Sequence, residues 1–226
     1  METTPTDSVE ATLALADWRR TVATLYADVR RIARDDVGAA LDLWRTTREQ
    51  LYGGHAQSPV PAADRPSFRA RHFDPDPALR FEVVVEPPEA DRPDAVAPDL
   101  GFGGLQIELP VSAGGVMAFR RFGVVTIPFP DGPRRLEIYW MEGYAGGLFL
   151  PFRDATNGRE TYGAGRYLLD AAKSADLGAG HAPGSLILDF NFAYQPSCAF
   201  DPKWACPLAP PSNRLDLEIR AGERLA

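Results

Sequence analysis

The sequence has few of the residues that build covalent or metal-bound frameworks. It contains two cysteines and three histidines in 226 residues. It also contains no run of about 18 apolar residues, which excludes a membrane-spanning helix. Its N-terminus lacks a basic segment followed by an apolar one, so we expect no secretory signal. These absences predict a cytoplasmic protein whose cysteines are not held in disulfides by an oxidising compartment.

Positive charge is also in deficit. The 24 Lys and Arg residues against 31 Asp and Glu residues give a formal net charge of −7. Such a protein repels phosphate backbones and anionic lipids, so we predict no nucleic-acid partner and no membrane partner. The hydrophobic content of 45% is ordinary for a globular protein, and the length suits one large β domain or one domain with an appendage.

The first 52 residues follow a helical pattern. Asp7 and Glu10 have the spacing of a capping box. Gly38 indicates a break, and Gly53-Gly54 ends the pattern. Apolar residues recur every three or four positions, as in an amphipathic helix: Leu15, Trp18, Val22, Leu25, Val29 and Ile32, then Leu41, Trp44 and Leu51. The apolar face either lies on its own domain or pairs with a second copy, which would make a homodimer through the N-terminal helices.

The period changes to that of β-strands after Arg80. Residues 87–99 are a Pro-, Asp- and Ala-rich loop, and Asp131-Gly132 predicts a hairpin turn. The short apolar runs between Gly, Pro and Asp are RFEVVVE, GLQIELP, GVMAFRRF, GVVTIPF, RRLEIYWM, GGLFLPF, RYLLD, SLILDFNFAY and LDLEIR. We predict a mainly β (α+β) fold, an antiparallel β-barrel or curved sandwich with N-terminal helices packed outside. Residues 1–36 would be a helical extension, and residues 37–226 the β-rich domain.

Residues 154–168, DATNGRETYGAGRYL, carry an unusual density of hydrogen-bonding side chains. Asn157-Gly158 predicts a turn, with Asp154 accepting backbone N–H groups. Arg166 presents a planar fork that suits either an anionic ligand or an internal pair with Asp154 or Asp189. The turn does not account for three further polar residues, which fit either a polar rim or a pocket wall: Glu160, Tyr162 and Tyr167.

The segment SLILDFNFAY places two polar side chains on one face of an apolar strand. Strand alternation would project Asp189 and Asn191 together. Buried polar groups of this kind need hydrogen-bond partners. Two interpretations are balanced: the pair anchors loops through backbone N–H groups, or it lines a pocket with Asp189 as a general base, a ligand acceptor or a partner of Arg166.

The two cysteines admit three interpretations. Cys198 and Cys206 are separated by seven residues, which is not the paired spacing of a zinc site. They are packing thiols, a disulfide that closes an irregular loop, or reactive thiols and metal ligands. The metal alternative would need a histidine such as His55; otherwise we expect no metal.

Several long motifs together resemble one family. They are PFRDATNGRETYGAGRYL, LDFNFAYQPSCAF, CPLAPPSNRL and IRAGE, preceded by HAQSPVP and FDPDPALRFEV. These motifs resemble the bacterial and archaeal family called domain of unknown function 1684, over about residues 40–224. The resemblance implies no activity. Two residues depart from the family pattern, Gln195 in place of Asn and Phe200 in place of Tyr. The matching motif positions include His55, Ser58, Asp154, Asn157, Glu160, Tyr162, Gly165, Arg166, Tyr167, Asp189, Asn191, Tyr194, Cys198, Cys206 and Asn213.

We therefore predict a β domain that binds a small anionic or carbonyl ligand in a polar pocket. Arg166, Asp189 and Tyr167 would be its catalytic residues if it is an enzyme, in which case we expect a hydrolase or lyase. The ligand-binding residues would be His55, Ser58, Asp154, Asn157, Glu160, Tyr162, Asn191, Tyr194 and Asn213. The pattern specifies no cofactor. The alternatives are an interaction protein that self-associates through its N-terminal helices, and a metal-binding protein that uses Cys198, Cys206 and a histidine.

Overall fold

The structure is a computed structural model that describes residues 9–88, 104–144 and 146–225. The predicted cap at Asp7 and most of the predicted loop over residues 87–99 lie outside these ranges. The chain divides into two compact units, Met1–Ala70 and Arg71–Ala226. The helical unit is thus longer than the extension predicted over residues 1–36, because a second helix packs with the first. The domain boundary proposed between residues 36 and 37 stays a prediction.

The first unit is built from helices α1, Val9–Ile32, and α2, Val37–Gly54. Asp36 starts α2, because its side chain accepts the Ala39 N–H at 2.9 Å. The indole N–H of Trp44, which is fully buried, donates to the Tyr26 hydroxyl at 3.0 Å. The helical period is confirmed, with Trp18, Val22, Leu25 and Val29 buried. No helix among the described residues combines the length and apolar character needed to cross a bilayer.

The second unit is a seven-stranded sheet in which every strand pairing is antiparallel. The sheet order is β6-β5-β4-β3-β1-β7, and β2 also pairs with β3. The strands are β1 Arg80–Glu86, β2 Leu105–Pro110, β3 Val116–Phe129, β4 Gly132–Met141, β5 Gly147–Phe152, β6 Arg166–Asp170 and β7 Ser185–Asp189. The predicted α+β class with a curved antiparallel sheet is confirmed.

The two ends of the strand order are connected by one contact. An isolated antiparallel bridge joins Tyr167 in β6 to Tyr194, just after β7. The sheet is therefore curled about one core. At its centre the fully buried Phe190 ring packs edge-on against Phe81 and Phe152 and tilted against Phe129, with centroids 5.2 to 6.2 Å apart.

Four of the predicted strands differ in the structure. GVMAFRRF and GVVTIPF are one strand, β3, with a bulge between Arg121 and Gly123. Gly123 allows β1 to approach, since a Cβ there would lie 2.4 Å from a Val85 methyl carbon. β7 ends at Asp189, and a 3₁₀ turn, Phe190–Phe192, follows it. Residues 215–220, all of them described, form no strand; their apolar side chains join the core instead.

Candidate functional site

Arg166, the central residue of the predicted pocket, is enclosed by the protein. Its guanidinium is fully buried and donates to Asp154 Oδ2 at 2.6 Å. It also donates to the backbone carbonyls of Ala221, Glu223 and Ile219. Burial lowers the pKa of Arg166, and Asp154 opposes that effect. With these acceptors in place, Arg166 fixes the C-terminal segment to the sheet.

Gly165 allows the backbone to pass close to β5 just before β6 begins. Gly165 has a φ of +104°, and a Cβ there would lie 2.4 Å from the Phe152 carbonyl oxygen. Any side chain would therefore push β6 away from β5. The glycine before Arg166 is thus explained by a close backbone approach.

The turn over residues 154–162 satisfies its own polar groups. Asp154 Oδ1 accepts the backbone N–H and the hydroxyl of Thr156. Asn157 accepts the Asp154 N–H and donates to the Thr161 hydroxyl and the Tyr162 carbonyl. Glu160 pairs with Arg220 at 3.0 Å on an exposed face. This geometry supports the turn interpretation of the motif.

Asp189 and Asn191 form a second internal network. Asp189 Oδ2 pairs with Arg80 at 2.9 Å, and Oδ1 accepts the backbone and side-chain N–H groups of Asn191. Asn191 in turn bridges the N–H and carbonyl of Asp76. Because β7 stops at Asp189, the two side chains do not alternate along a strand. They anchor the segment that leads into β1.

The tyrosines and the two residues of the first unit also have protein partners. Tyr167 donates to the Pro207 carbonyl, and Tyr194 donates to Asp170 at 2.7 Å. Within the first unit, His55 Nε2 lies 3.3 Å from Asp17, and Nδ1 accepts the Gln57 N–H. Ser58 donates to the Tyr52 carbonyl at 2.6 Å. The predicted site residues thus fall into separate, internally bonded groups, and their role in a ligand site stays a prediction.

The second unit contains a cleft of about 600 Å³ elsewhere on the sheet, which we call the Arg121 cleft. Strands β2, β3 and β4 form one side, and residues 208–212 form the other. Its polar lining residues are Glu108, Arg121, Glu137, Tyr139, Arg153 and Ser212, and its apolar ones are Leu105, Ile107, Leu109, Pro110, Leu208, Ala209, Pro210 and Pro211.

A network centred on Glu137 organises the polar side of the Arg121 cleft. Arg121 Nη1 donates to Glu137 Oε1 at 2.7 Å. The Tyr139 hydroxyl donates to Glu137 Oε2 at 2.6 Å, and the Ser212 hydroxyl donates to the same oxygen at 2.8 Å. The Arg121 side chain is nine-tenths buried, yet its Nε has no hydrogen-bond partner among the described residues.

The charges of this network follow from its contacts. Burial acts to raise the pKa of Glu137, but hydrogen bonds from Tyr139, Ser212 and Arg121 outweigh it and lower the pKa. Burial and the bond to Glu137 raise the pKa of Tyr139. At neutral pH Glu137 is therefore a carboxylate and Tyr139 is a neutral phenol.

Asn213 positions the opposite wall. Its side chain accepts the Glu137 N–H at 2.8 Å and donates to the carbonyls of Glu137 and Pro151 at 2.9 and 2.8 Å. The Arg153 N–H donates to the Asn213 carbonyl at 2.9 Å. One predicted site residue therefore lies directly behind the Arg121 cleft and fixes its wall to β4 and β5.

Cys198 and Cys206 come together in the second unit as unbonded, buried cysteines. The Cys198 N–H donates to Cys206 Sγ at 3.3 Å. Within the described residues, no group of three or more His, Cys, Asp or Glu side chains could hold a metal ion. His55, the third member of the metal alternative, belongs to the first unit.

The sheet, the cleft and all the motifs except HAQSPVP lie in the part of the chain that matches a known family. A family model described as "Protein of unknown function (DUF1684)" matches residues 68–224. The chain belongs to this family. The resemblance inferred from the motifs is thereby confirmed, and the DUF1684 match includes every residue that lines the Arg121 cleft.

The comparison with solved structures agrees with this assignment. The chain is similar to the solution NMR structure of an uncharacterised protein of Haloarcula marismortui, with 30% sequence identity and a TM-score of 0.56. The match covers 83% of this chain and 93% of that one. No curated protein matches the chain. The comparisons support an unknown-function domain of this fold and no specific activity.

Sequence reasoning missed all six polar residues that line the Arg121 cleft: Glu108, Arg121, Glu137, Tyr139, Arg153 and Ser212. A signal was present in the DUF1684 segment. Glu137 and Tyr139 are two residues apart inside an apolar strand, so they share a face. A carboxylate and a phenol on one face of an apolar strand need hydrogen-bond partners, which indicates a polar cluster on that face but does not identify Arg121 as its cation.

Proposed function

We propose that the second unit binds a small molecule that has an apolar body and an anionic group, in the Arg121 cleft. The ligand class is the one expected from the sequence. The location is beside Arg121 rather than beside Arg166, whose guanidinium already has one carboxylate and three carbonyl acceptors.

The unpaired Nε of Arg121 is the observation that carries this proposal. A buried donor without a partner costs about 1–3 kcal/mol, and an acceptor on a bound ligand would remove that cost. Arg166 Nε also has no partner among the described residues, but the Arg166 side chain is fully enclosed, whereas Arg121 lines the cleft. Glu137 occupies Nη1. An arginine edge of this kind binds a carboxylate or phosphate with two parallel hydrogen bonds.

The remainder of the lining suits an apolar ligand body. Leucine, isoleucine, alanine and proline side chains make up most of the wall, and the volume of about 600 Å³ lies in the range of small-molecule sites. The charges of the lining balance, with Arg121 and Arg153 against Glu108 and Glu137. The cleft is thus less acidic than the chain as a whole, whose net charge is −7, and the Nε of Arg121 is the group that favours an anion there.

We propose that the Arg121 cleft binds its ligand without acid–base catalysis by Glu137. Glu137 is the carboxylate nearest to Arg121, and three hydrogen bonds lower its pKa. A carboxylate stabilised in its ionised form is a weak proton acceptor at neutral pH. The geometry thus supports recognition of a ligand better than acid–base catalysis by this residue.

Arg121→Lys tests the role of the guanidinium. We expect the wild-type protein to bind octanoate, and the variant to bind it about tenfold more weakly, because an ammonium cannot make the paired hydrogen bonds of a guanidinium. The measurement is isothermal titration calorimetry with octanoate, benzoate and phenyl phosphate, with octanol as the uncharged comparison.

Arg120→Lys is the matched control for this test. Arg120 is the neighbouring residue on β3, is buried to a similar degree and pairs with Glu142 at 2.9 Å, but it does not line the cleft. We expect it to leave octanoate affinity unchanged. Equal affinity for octanoate and octanol, equal effects of the two substitutions, or no binding of any of the three anions would contradict the proposal.

A second proposal, self-association through α1, is supported by an exposed apolar face. Val9 and Leu13 are 76% and 61% exposed and lie one helical turn apart. We propose that the same face of a second copy covers them. Leu13→Glu is then expected to convert a dimer to a monomer in sedimentation equilibrium, whereas Thr12→Glu, on the adjacent exposed position, should not. A monomeric wild-type protein would remove this proposal.

A further inference from the structure

Two thiols lie in direct contact in the second unit, outside the Arg121 cleft. Cys198 and Cys206 are each 6% exposed. The Cys198 N–H donates to Cys206 Sγ at 3.3 Å, which places the second sulfur against the backbone of the first cysteine. Two unbonded cysteines in such contact are candidates for a disulfide that a side-chain rotation would close.

Ser112 fixes the position of Cys206. The Cys206 N–H donates to Ser112 Oγ at 3.0 Å, and the Ser112 N–H donates to the Cys206 carbonyl at 2.9 Å. Ser112 Oγ also donates to the Trp204 carbonyl at 2.7 Å. Cys198 is held independently, in the 3₁₀ turn Ser197–Ala199. The two thiols thus belong to separately anchored segments, which keep the sulfurs next to each other.

The surroundings of the pair are polar, unlike those of a packing thiol. The contact with the Cys206 thiol lowers the pKa of Cys198 to about 6. Burial opposes this effect, and hydrogen bonds from Ser112 and Tyr162 add to it. The same contact, together with burial, raises the pKa of Cys206. These opposite directions favour the thiolate at Cys198 and the proton at Cys206.

We propose that Cys198 and Cys206 form a peroxide-sensitive dithiol, in which Cys198 is the nucleophile and Cys206 the resolving thiol. The oxidant is hydrogen peroxide, a molecule small enough to reach a nearly buried sulfur. The product is an intramolecular disulfide that a thiol reductant reverses. This inference does not depend on a ligand in the Arg121 cleft.

The reaction balances in two steps. The Cys198 thiolate attacks one peroxide oxygen, the O–O bond breaks, and the departing hydroxide takes a proton to become water, which leaves a sulfenic acid. Cys206 then loses its proton and attacks that sulfur; the S–S bond forms and the S–O bond breaks, which releases a second water. The two thiols lose two electrons and two protons, and hydrogen peroxide gains them.

Intact mass spectrometry of the full chain tests the pair. After brief treatment with hydrogen peroxide, we expect the wild-type mass to fall by two hydrogens and to return after dithiothreitol. Cys206→Ser should instead accumulate a sulfenic acid that dimedone traps at Cys198. Cys198→Ser should react at least tenfold more slowly than wild type with peroxide.

A wild-type chain that keeps its mass, or that gains oxygen atoms without losing two hydrogens, would overturn the proposal whether or not the serine variants fold. Alkylation of the wild-type protein by iodoacetamide supplies a second readout. Its rate at Cys198 should level off above about pH 6 rather than near pH 9, because the pKa of this thiol is lowered to about 6.

Discussion

Arg166→Met is expected to lower the free energy of unfolding by about 3–5 kcal/mol, the cost of breaking a buried ion pair by removing one partner. The methionine keeps most of the aliphatic stem and removes the charge. Asp154, also fully buried, is then left as a carboxylate without its cation. The carbonyls of Ala221, Glu223 and Ile219 lose a donor as well. Urea unfolding followed by tryptophan fluorescence measures the loss.

Arg220→Met is the matched control. Arg220 pairs with Glu160 at 3.0 Å, but its side chain is 57% exposed, so water replaces the lost contact. We expect the unfolding midpoint of this variant to equal that of wild type. If both arginine variants shift the midpoint alike, the stabilising role assigned to burial at Arg166 is incorrect.

The double variant Arg166→Met with Asp154→Leu separates charge from hydrogen bonding. With both charges removed, the desolvation penalty disappears, and we expect part of the lost stability to return. Recovery should stop short of wild type, because Asp154 also accepts the Thr156 N–H at 2.7 Å and so holds the turn. A double variant less stable than Arg166→Met would show that the turn contacts outweigh the ion pair.

The Arg166 network shows how far local patterns reach. The glycines, the turn at Asn157 and an internal partner for Arg166 were all indicated by local residue chemistry. The choice between Asp154 and Asp189 as that partner was not, because it depends on strand pairing. β1 pairs with β7 in a register that sets Arg80 opposite Asp189, and this occupies the Asp189 carboxylate.

The Arg121 cleft shows what local patterns omit. In the hairpin of β3 and β4, Gly123 lies opposite Ile138 but Arg121 lies opposite Tyr139, because a bulge at this point shifts the ladder by one residue. Without that bulge the regular register would set Phe122 opposite Tyr139. The bulge therefore places Arg121 on the face of Glu137, and nothing in the local sequence signals a one-residue shift of register.

Asn213 links the recognisable C-terminal motif to the Arg121 cleft. The ladder between β4 and β5 covers only Tyr139–Met141 of β4, so it has ended before it reaches Glu137. Asn213 contributes the next hydrogen bonds in place of a strand, because its amide bonds to the N–H and carbonyl of Glu137 and to the carbonyl of Pro151. Asn213 thus fixes the two strands at the point where they separate, beside the cleft.

Asn213→Ala is accordingly expected to cost about 2–4 kcal/mol of unfolding free energy, since up to three backbone groups lose a buried partner. It should also weaken octanoate binding, because Glu137 and the wall over residues 208–212 lose their common anchor. Urea unfolding and calorimetric titration measure the two effects. Arg214→Ala, one residue away, exposed and outside the cleft lining, is the control and should change stability by less than about 0.5 kcal/mol.

Asn213→Asp tests whether the hydrogen bonds that the amide donates, rather than the size of the side chain, stabilise this region. The carboxylate keeps an acceptor for the Glu137 N–H but loses both donated bonds, and it sets a negative charge against two carbonyl oxygens. We expect it to be at least as unstable as Asn213→Ala, although it is closer in size to asparagine. If the aspartate variant is as stable as wild type, the two donated bonds do not hold β4 and β5 in place, and the cleft wall must be fixed by the apolar contacts of residues 208–211 instead.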